Sequence, residues 1–159
     1  MKILSLLLFV VNFSINCYSQ SKIETQTWIK NNLEAHAGEK LQFTNIDFEN
    51  SNLIIKSPIG DKEFYDLIPL KEINQIIFKE FEFEGKEKIS IQFYCKNGNK
   101  CRQSGEIVDG KKTASDFNYF DTKIILNGSF KNDGIPSRML KAFSHLIKLC
   151  GGKLINDIF

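Results

Sequence analysis

The residues of this chain that are best suited to covalent chemistry are its four cysteines, Cys17, Cys95, Cys101 and Cys150. Cys95 and Cys101 flank a short segment with Asn97-Gly98-Asn99 at its centre. A hairpin with a three-residue loop would place Cys95 directly opposite Cys101. Opposed side chains on one face of a hairpin lie about 4.5–5.5 Å apart at Cβ, close to the reach of a disulfide. We therefore predict a Cys95–Cys101 disulfide, although a two-residue Asn97-Gly98 turn would shift the register and disfavour it.

Cys150 falls on the apolar side of the last helical pattern. A small buried hydrophobic residue is the expected role, and pairing with one hairpin cysteine is the alternative. A zinc site built from Cys95, Cys101 and Cys150 is disfavoured, because the spacing is not Cys-x2-Cys and no histidine accompanies it. We expect neither a metal nor a cofactor.

The two histidines and the acidic strand do not form a catalytic pattern. His36 lies near the end of the first predicted helix, where the helix dipole favours a charged imidazole. Glu80, Glu82 and Glu84 share one side of a predicted strand, and we expect a solvated face rather than a glycosidase pair, which needs a second carboxylate. That face is expected to lie opposite Phe81 and Phe83. Motifs such as Gly-x-Ser-x-Gly and His-Glu-x-x-His are absent from the sequence, so no catalytic residue is predicted.

A basic stripe is the best candidate for an interaction surface. It consists of Arg138, Lys141, His145 and Lys148, which recur on the polar side of the last predicted helix. A merely solvated helix face is the simpler interpretation. The functional hypothesis is an electrostatic contact with an anionic lipid, a glycan or an acidic protein.

The elements that position these residues follow from periodicity. A helix is predicted over Glu24–Ala37, and a second begins near Pro136 and carries a broad apolar stripe as far as Cys150. Ile68–Glu72 is expected to be a crossing or a single helical turn, and Asp109–Asn118 a polar loop. Strands are predicted at Leu41–Phe48 with a bulge, Leu53–Ile55, Glu63–Leu67, Ile73–Phe83, Ile89–Cys95, Cys101–Val108 and Lys123–Phe130.

Strands that are flanked by helices, rather than alternating with them, indicate the α+β class. We therefore predict an N-terminal helix, about seven mostly antiparallel strands in a strongly bent sheet or small barrel, and a C-terminal amphipathic helix packed on it. The apolar tail from Leu154 to Phe159 is expected to pack back on the domain.

Several segments carry a family resemblance. They are Thr25-Gln26-Thr27-Trp28-Ile29, Ile68-Pro69-Leu70-Lys71-Glu72-Ile73, Cys95, Lys100-Cys101 and the run from Arg138 to Gly152. Together they resemble a group of uncharacterised exported bacterial proteins with a Thr-x-x-Trp helix, a β-meander and a terminal helix. The layout is similar to that of pleckstrin-homology-like barrels. The resemblance implies a fold and assigns no catalytic residue, and the turn at Glu49–Asn52 lacks the basic motif of phosphoinositide-binding members.

The first residues have the pattern of a secretory signal. Lys2 precedes an apolar run from Ile3 to Val11, which is too short for a membrane-spanning helix of roughly 20 residues. Small residues precede a cleavage site after Ser19. We predict a signal peptide over residues 1–19 and a single α+β domain over 20–159, exported to the periplasm or the medium. Lipoprotein processing at Cys17 is the alternative.

Charge and composition complete the expectation. The chain of 159 residues has 21 Lys+Arg against 19 Asp+Glu, so its net charge is +2. This balance disfavours a nucleic-acid binder that relies on a strong basic field. After the signal segment, the sequence contains no apolar run long enough to span a membrane as a helix. We expect a non-catalytic envelope module with a protein or glycan partner; a carrier of a small apolar ligand or lipid and a small periplasmic enzyme are the alternatives.

Overall fold

The computed structural model describes residues 22–37, 45–96, 101–115 and 123–155. The predicted signal segment, the expected bulge after Phe43, the Asn97-Gly98 tip and the last residues of the tail lie outside this part of the chain. Within it, a helix is followed by eight antiparallel strands and a C-terminal helix. The predicted α+β class is confirmed.

The first helix, α1, spans residues 22–35, and the C-terminal helix, α2, spans Ile135–Leu149. The strands are β1 (Asn45–Glu49), β2 (Asn52–Ile59), β3 (Lys62–Pro69), β4 (Ile73–Phe83), β5 (Lys86–Cys95), β6 (Gln103–Val108), β7 (Lys111–Ser115) and β8 (Lys123–Asn127). Two 3-10 segments, Leu70–Glu72 and Gly128–Gly134, precede β4 and α2.

The strands form two sheets, and neither is closed into a barrel. The five-stranded sheet has the order β1-β2-β3-β6-β7, and the three-stranded sheet has the order β4-β5-β8. The predicted small barrel is therefore wrong. It assumed that β5 continues into β6 as a hairpin, but β8 occupies that edge of β5 and β6 pairs with β3 instead. The chain thus crosses from one sheet to the other between Cys95 and Gln103.

An eighth strand lies inside the segment predicted as a polar loop. Asp109 and Gly110 have φ values of 50° and 73°, and they join β6 to β7 in a tight hairpin. Asp-Gly is a strong signal for such a turn, because both central residues must adopt positive φ. The polar side chains of β7 concealed this strand. The last strand is also shorter than predicted, because the Asn127 side chain accepts a hydrogen bond from the Ser129 backbone N–H, 3.1 Å away, and begins the 3-10 segment.

One hydrophobic core joins both helices and both sheets. Helix α1 contributes Ile29 and Leu33, while α2 contributes Met139 and Phe143 among others. Burying a large apolar side chain stabilises a fold by roughly 1.5–3 kcal/mol, so this shared core holds the two sheets together. The tail packs back in part as expected: Leu154 is buried, whereas the Ile155 side chain is 72% exposed.

The chain after α2 runs very close to the 3-10 segment that precedes β4. A Cβ atom on Gly152 would lie 2.7 Å from Ile147 Cγ2 and 3.0 Å from Lys71 Cα, so the position requires glycine. Beyond it, the Ile155 N–H donates to Asn74 O at 2.6 Å, on β4. These contacts fix the end of α2 against the three-stranded sheet.

Candidate interaction surfaces

The basic stripe lies on the solvent side of α2. The core side of this helix carries Met139, Phe143, Leu146 and Ile147, all fully buried. Arg138, Lys141, His145 and Lys148 are exposed, as the spacing predicts. Because the helix is held along its buried side, the four side chains project from a fixed backbone.

The stripe carries one sign of charge. No Asp or Glu occurs between Ile135 and Leu149, so α2 has no acidic residue of its own. Arg138 lies in the first turn, where the positive end of the helix dipole disfavours a cation. Its Nη2 donates to Asp133 O at 3.0 Å, just before the helix. The helix dipole therefore does not account for a cation at this position.

Cys95 and Cys101 form the predicted disulfide, with their Cα atoms 6.1 Å apart. The geometry behind the prediction was wrong, because the two residues are not opposed across a hairpin. Cys95 ends β5 of the three-stranded sheet, whereas Cys101 precedes β6 of the five-stranded sheet. The bond therefore fastens the two ends of the crossing between the sheets.

Further bonds hold the crossing on both sides. The Lys96 N–H donates to Glu72 O at 2.9 Å, beside the start of β4. Arg102 forms an ion pair with Asp66 of β3, and its Nε donates to Asp66 Oδ1 at 2.9 Å. Ser104 donates to the same oxygen at 2.7 Å. Sequence reasoning missed this cluster, because Asp66 and Arg102 are distant in the chain.

Cys150 is a free cysteine at the end of α2. It is half-buried and packs against the core, which agrees with the expected role as a small hydrophobic residue. Within the described residues, no group of three or more His, Cys, Asp or Glu side chains could hold a metal ion.

The two histidines lie on different elements. His36 follows α1, and its Nδ1 donates to Asn32 O at 2.7 Å. Its ring contacts Phe130 edge-on, with ring centroids 5.6 Å apart. His145 lies on the exposed side of α2. His36 therefore satisfies a carbonyl at the end of α1, as a residue near a helix C-terminus is expected to do.

Glu80, Glu82 and Glu84 are exposed as expected. However, Phe81 and Phe83, which lie on the opposite face, do not face the core. Strand register places Glu80 opposite the buried Ile89. Glu80 and Glu82 thus continue the core face of β4 beyond the edge of the core, while Phe81 and Phe83 lie on the other face. Glu84 does not share that strand face as predicted, because it lies in the turn after β4 with φ 51°. Alternation alone cannot show which side of a strand is covered.

Lys131 bridges this acidic end of the sheet. Its Nζ lies 2.7 Å from Glu80 Oε2 and 3.4 Å from Glu87 Oε2. Glu87 is directly opposite Glu82, so like charges meet across the two strands. The hydrogen bond to Glu80, with further help from Glu87, raises the pKa of Lys131 above 10.5. Lys131 was not singled out from the sequence, because nothing there links it to the β4–β5 hairpin.

No helix in the described part of the chain is long and apolar enough to cross a membrane. No family model matches this sequence, and no curated protein or solved structure shows significant similarity to it.

Proposed function

We propose that this protein is an exported, non-catalytic binding module of the cell envelope. Its partner is a protein or a glycan with an anionic surface. The observation that carries the proposal is the basic stripe: three full cations and one histidine project from a helix whose other side lies in the core. Surfaces of one charge sign steer and orient an oppositely charged partner.

Membership in the group of exported bacterial proteins that the sequence resembles is part of this proposal. The Thr-x-x-Trp motif that contributes to the resemblance has a structural role in α1. Trp28 of the Thr-x-x-Trp motif packs against the core from α1. Trp28 therefore serves packing, and the binding role rests on the exposed side of α2.

The phenylalanines bear on the alternative of an apolar-ligand carrier. Phe143 meets Phe93 edge-on with ring centroids 5.4 Å apart, and Phe130 stacks on Phe78 at 6.0 Å. Aromatic rings paired in this way fill a core and stabilise it. These four phenylalanines are thus accounted for by packing rather than by a ligand site.

The first experiment measures binding of the mature protein to an immobilised anionic glycan, heparin, and to an immobilised acidic protein, at increasing salt. We expect retention on at least one of the two supports, and elution at lower salt for the triple variant Arg138→Glu, Lys141→Glu, Lys148→Glu. A matched triple reversal of Lys56, Lys62 and Lys111, which lie on β2, β3 and β7, is the control. Equal retention of both variants would refute the role of the basic stripe.

A second experiment tests export. Expressed with its full N-terminus in a bacterial host, the protein should be recovered outside the cytoplasm with Gln20 as its first residue. A lipid-modified Cys17 would establish the lipoprotein alternative instead. Recovery of uncleaved protein in the cytoplasm would contradict the proposal.

A further inference from the structure

The three-stranded sheet has a second face that the core does not cover. Strand register pairs Phe83 with Lys86, Phe81 with Lys88 and Lys79 with Ser90. Residues directly opposite each other share a face, as do residues two apart in a strand. This outer face comprises Gln75, Ile77, Lys79, Phe81, Phe83, Lys86, Lys88, Ser90, Gln92, Tyr94, Lys123, Ile125 and Asn127.

Every charged residue on the outer face is a lysine. Lys79, Lys86 and Lys123 are exposed and Lys88 is half-buried. Among the residues that the structure describes, none of these four forms an ion pair. In contrast, Lys30, Lys62, Lys112 and Lys131 each lie within 4.0 Å of a glutamate oxygen. The outer face thus gathers four positive charges without a carboxylate to balance them.

Apolar groups lie among these lysines. Phe83 is 47% exposed and Phe81 is half-buried, and neither belongs to the core cluster. Each is directly opposite a lysine on β5. Charged residues on an edge strand such as β4 can serve to prevent association between sheets. That role fits Lys79 on β4 and Lys123 on β8, but not Lys86 and Lys88, which lie on the central strand β5. It also does not account for an exposed phenylalanine, which adds apolar surface where association would begin.

We propose that the outer face docks an acidic segment of a partner protein. Apolar side chains of the segment cover Phe81 and Phe83, while its carboxylates meet Lys79, Lys86, Lys88 and Lys123. This surface is distinct from the basic stripe, and the inference stands whether or not the stripe binds. It gives the protein a second site with a stated chemistry.

The composition of the face favours a protein over a polyanion such as nucleic acid. Its cations are all lysines, with no arginine to grip phosphate through two parallel hydrogen bonds. A net charge of +2 supplies no strong field for a phosphate backbone. Exposed aromatic rings are typical of a protein interface, where aromatic anchors contribute most of the affinity.

The test uses a fluorescent synthetic peptide of alternating Glu and Leu as the probe, with anisotropy as the measurement on the mature protein. We expect saturable binding that weakens with salt, and no binding of the matched peptide of alternating Lys and Leu. The variants Phe81→Ser/Phe83→Ser and Lys79→Gln/Lys88→Gln should each weaken binding about tenfold or more, as loss of an interface anchor does.

Two controls separate this site from general effects. Val108→Ser removes an apolar side chain of similar exposure, 46%, from β6 and should leave binding unchanged. Lys141→Gln/Lys148→Gln alters the basic stripe and should also leave it unchanged. Each variant is first checked for an unaltered urea unfolding midpoint.

Amide chemical shifts locate the bound peptide directly. The changes should concentrate in β4, β5 and β8. The proposal is overturned by absence of peptide binding, by binding that survives both outer-face variants, by shifts confined to α2, or by tighter binding of single-stranded oligo-dT than of the acidic peptide.

Discussion

Lys131 is a shared counter-charge for glutamates that would otherwise repel one another at the end of the β4–β5 hairpin. It contacts Glu80 and Glu87, and Glu82 lies opposite Glu87. Replacing Lys131 with Met should lower the urea midpoint of unfolding, because the carboxylates lose their shared counter-charge. The decrease should be largest at low salt and nearly absent at high salt, since exposed pairs are strongly screened.

The pH dependence of the same residue has a definite sign. The pKa of Lys131 is raised in the folded protein. Its contribution to stability is therefore complete below the unfolded value of 10.5 and is lost as the pH rises through the folded pKa. Lys153→Met, at an exposed position, is the control; an equal effect of both substitutions at all salt concentrations would contradict the proposed role.

Gly105 shows how one residue sets the spacing of two strands. A Cβ atom there would meet the Thr113 carbonyl oxygen on β7 and lie 2.7 Å from Tyr65 Cε1 on β3. Gly105→Ala should therefore lower the free energy of unfolding by about 1–3 kcal/mol, the usual cost of overpacking. Chemical denaturation measures the change. Gln103→Ala, at an exposed position of the same strand, should differ little from the parent, and a stable Gly105→Ala protein would disprove the close approach.

At the scale of the elements, sequence pattern predicted type better than pairing. The bounds of β4 were predicted to the residue, and α2 was expected from Pro136 onward. Both carry long apolar patterns that local physics explains. The pairing of β6 with β3 was not predictable in this way, because it depends on which sheet edge is free when the chain crosses. Likewise the orientation of β4, with Phe81 and Phe83 on its outer face and Phe78 on its core face, depends on where the core ends.

The candidate sites likewise differ in whether local spacing in the sequence is enough to predict them. The basic stripe was predictable, because helical spacing alone places its four members on one side. The outer face was not, because it needs the register of the β4–β5 hairpin against β8, which is distant in sequence. The disulfide was predicted from short spacing, and it occurs in a different arrangement from the one that motivated it.

The crossing between the sheets should depend on its disulfide. Replacing Cys95 and Cys101 together with Ala should lower the free energy of unfolding by about 2 kcal/mol, at the low end of the usual range because the closed loop is short. Mass spectrometry under non-reducing conditions should show one disulfide and one free thiol in the mature chain. Cys150→Ala is the control, and three free thiols would rule out the bond.

Substitutions at a buried and at an exposed phenylalanine should have different effects on stability. Phe130 is fully buried and stacks on Phe78, so Phe130→Ala should lower the free energy of unfolding by roughly 3–5 kcal/mol. Phe83 is 47% exposed, and Phe83→Ala should leave stability nearly unchanged. Thermal and urea unfolding measure both. A similar loss in the two variants would mean that the outer face is covered within the folded chain.

At the scale of the whole molecule, the net charge is small, but positive and negative side chains are grouped on different surfaces. The net charge is only +2, yet cations gather on α2 and on the outer face, while carboxylates gather at the end of the β4–β5 hairpin. A molecule of this kind attracts a partner through local complementarity at short range and has little long-range attraction to polyanions in general. Its two basic surfaces are on different elements and can be altered separately.

The order in which the strands enter the two sheets has a consequence for proteolysis and for unfolding. The five-stranded sheet takes β1 to β3 and then β6 and β7, whereas the three-stranded sheet takes β4 and β5 and then β8. No single cut of the backbone yields two fragments that each contain one whole sheet. A protease that nicks one loop therefore cannot release a folded half, and unfolding should proceed in one cooperative step, with hydrogen exchange of the slowest amides in both sheets reporting the same free energy.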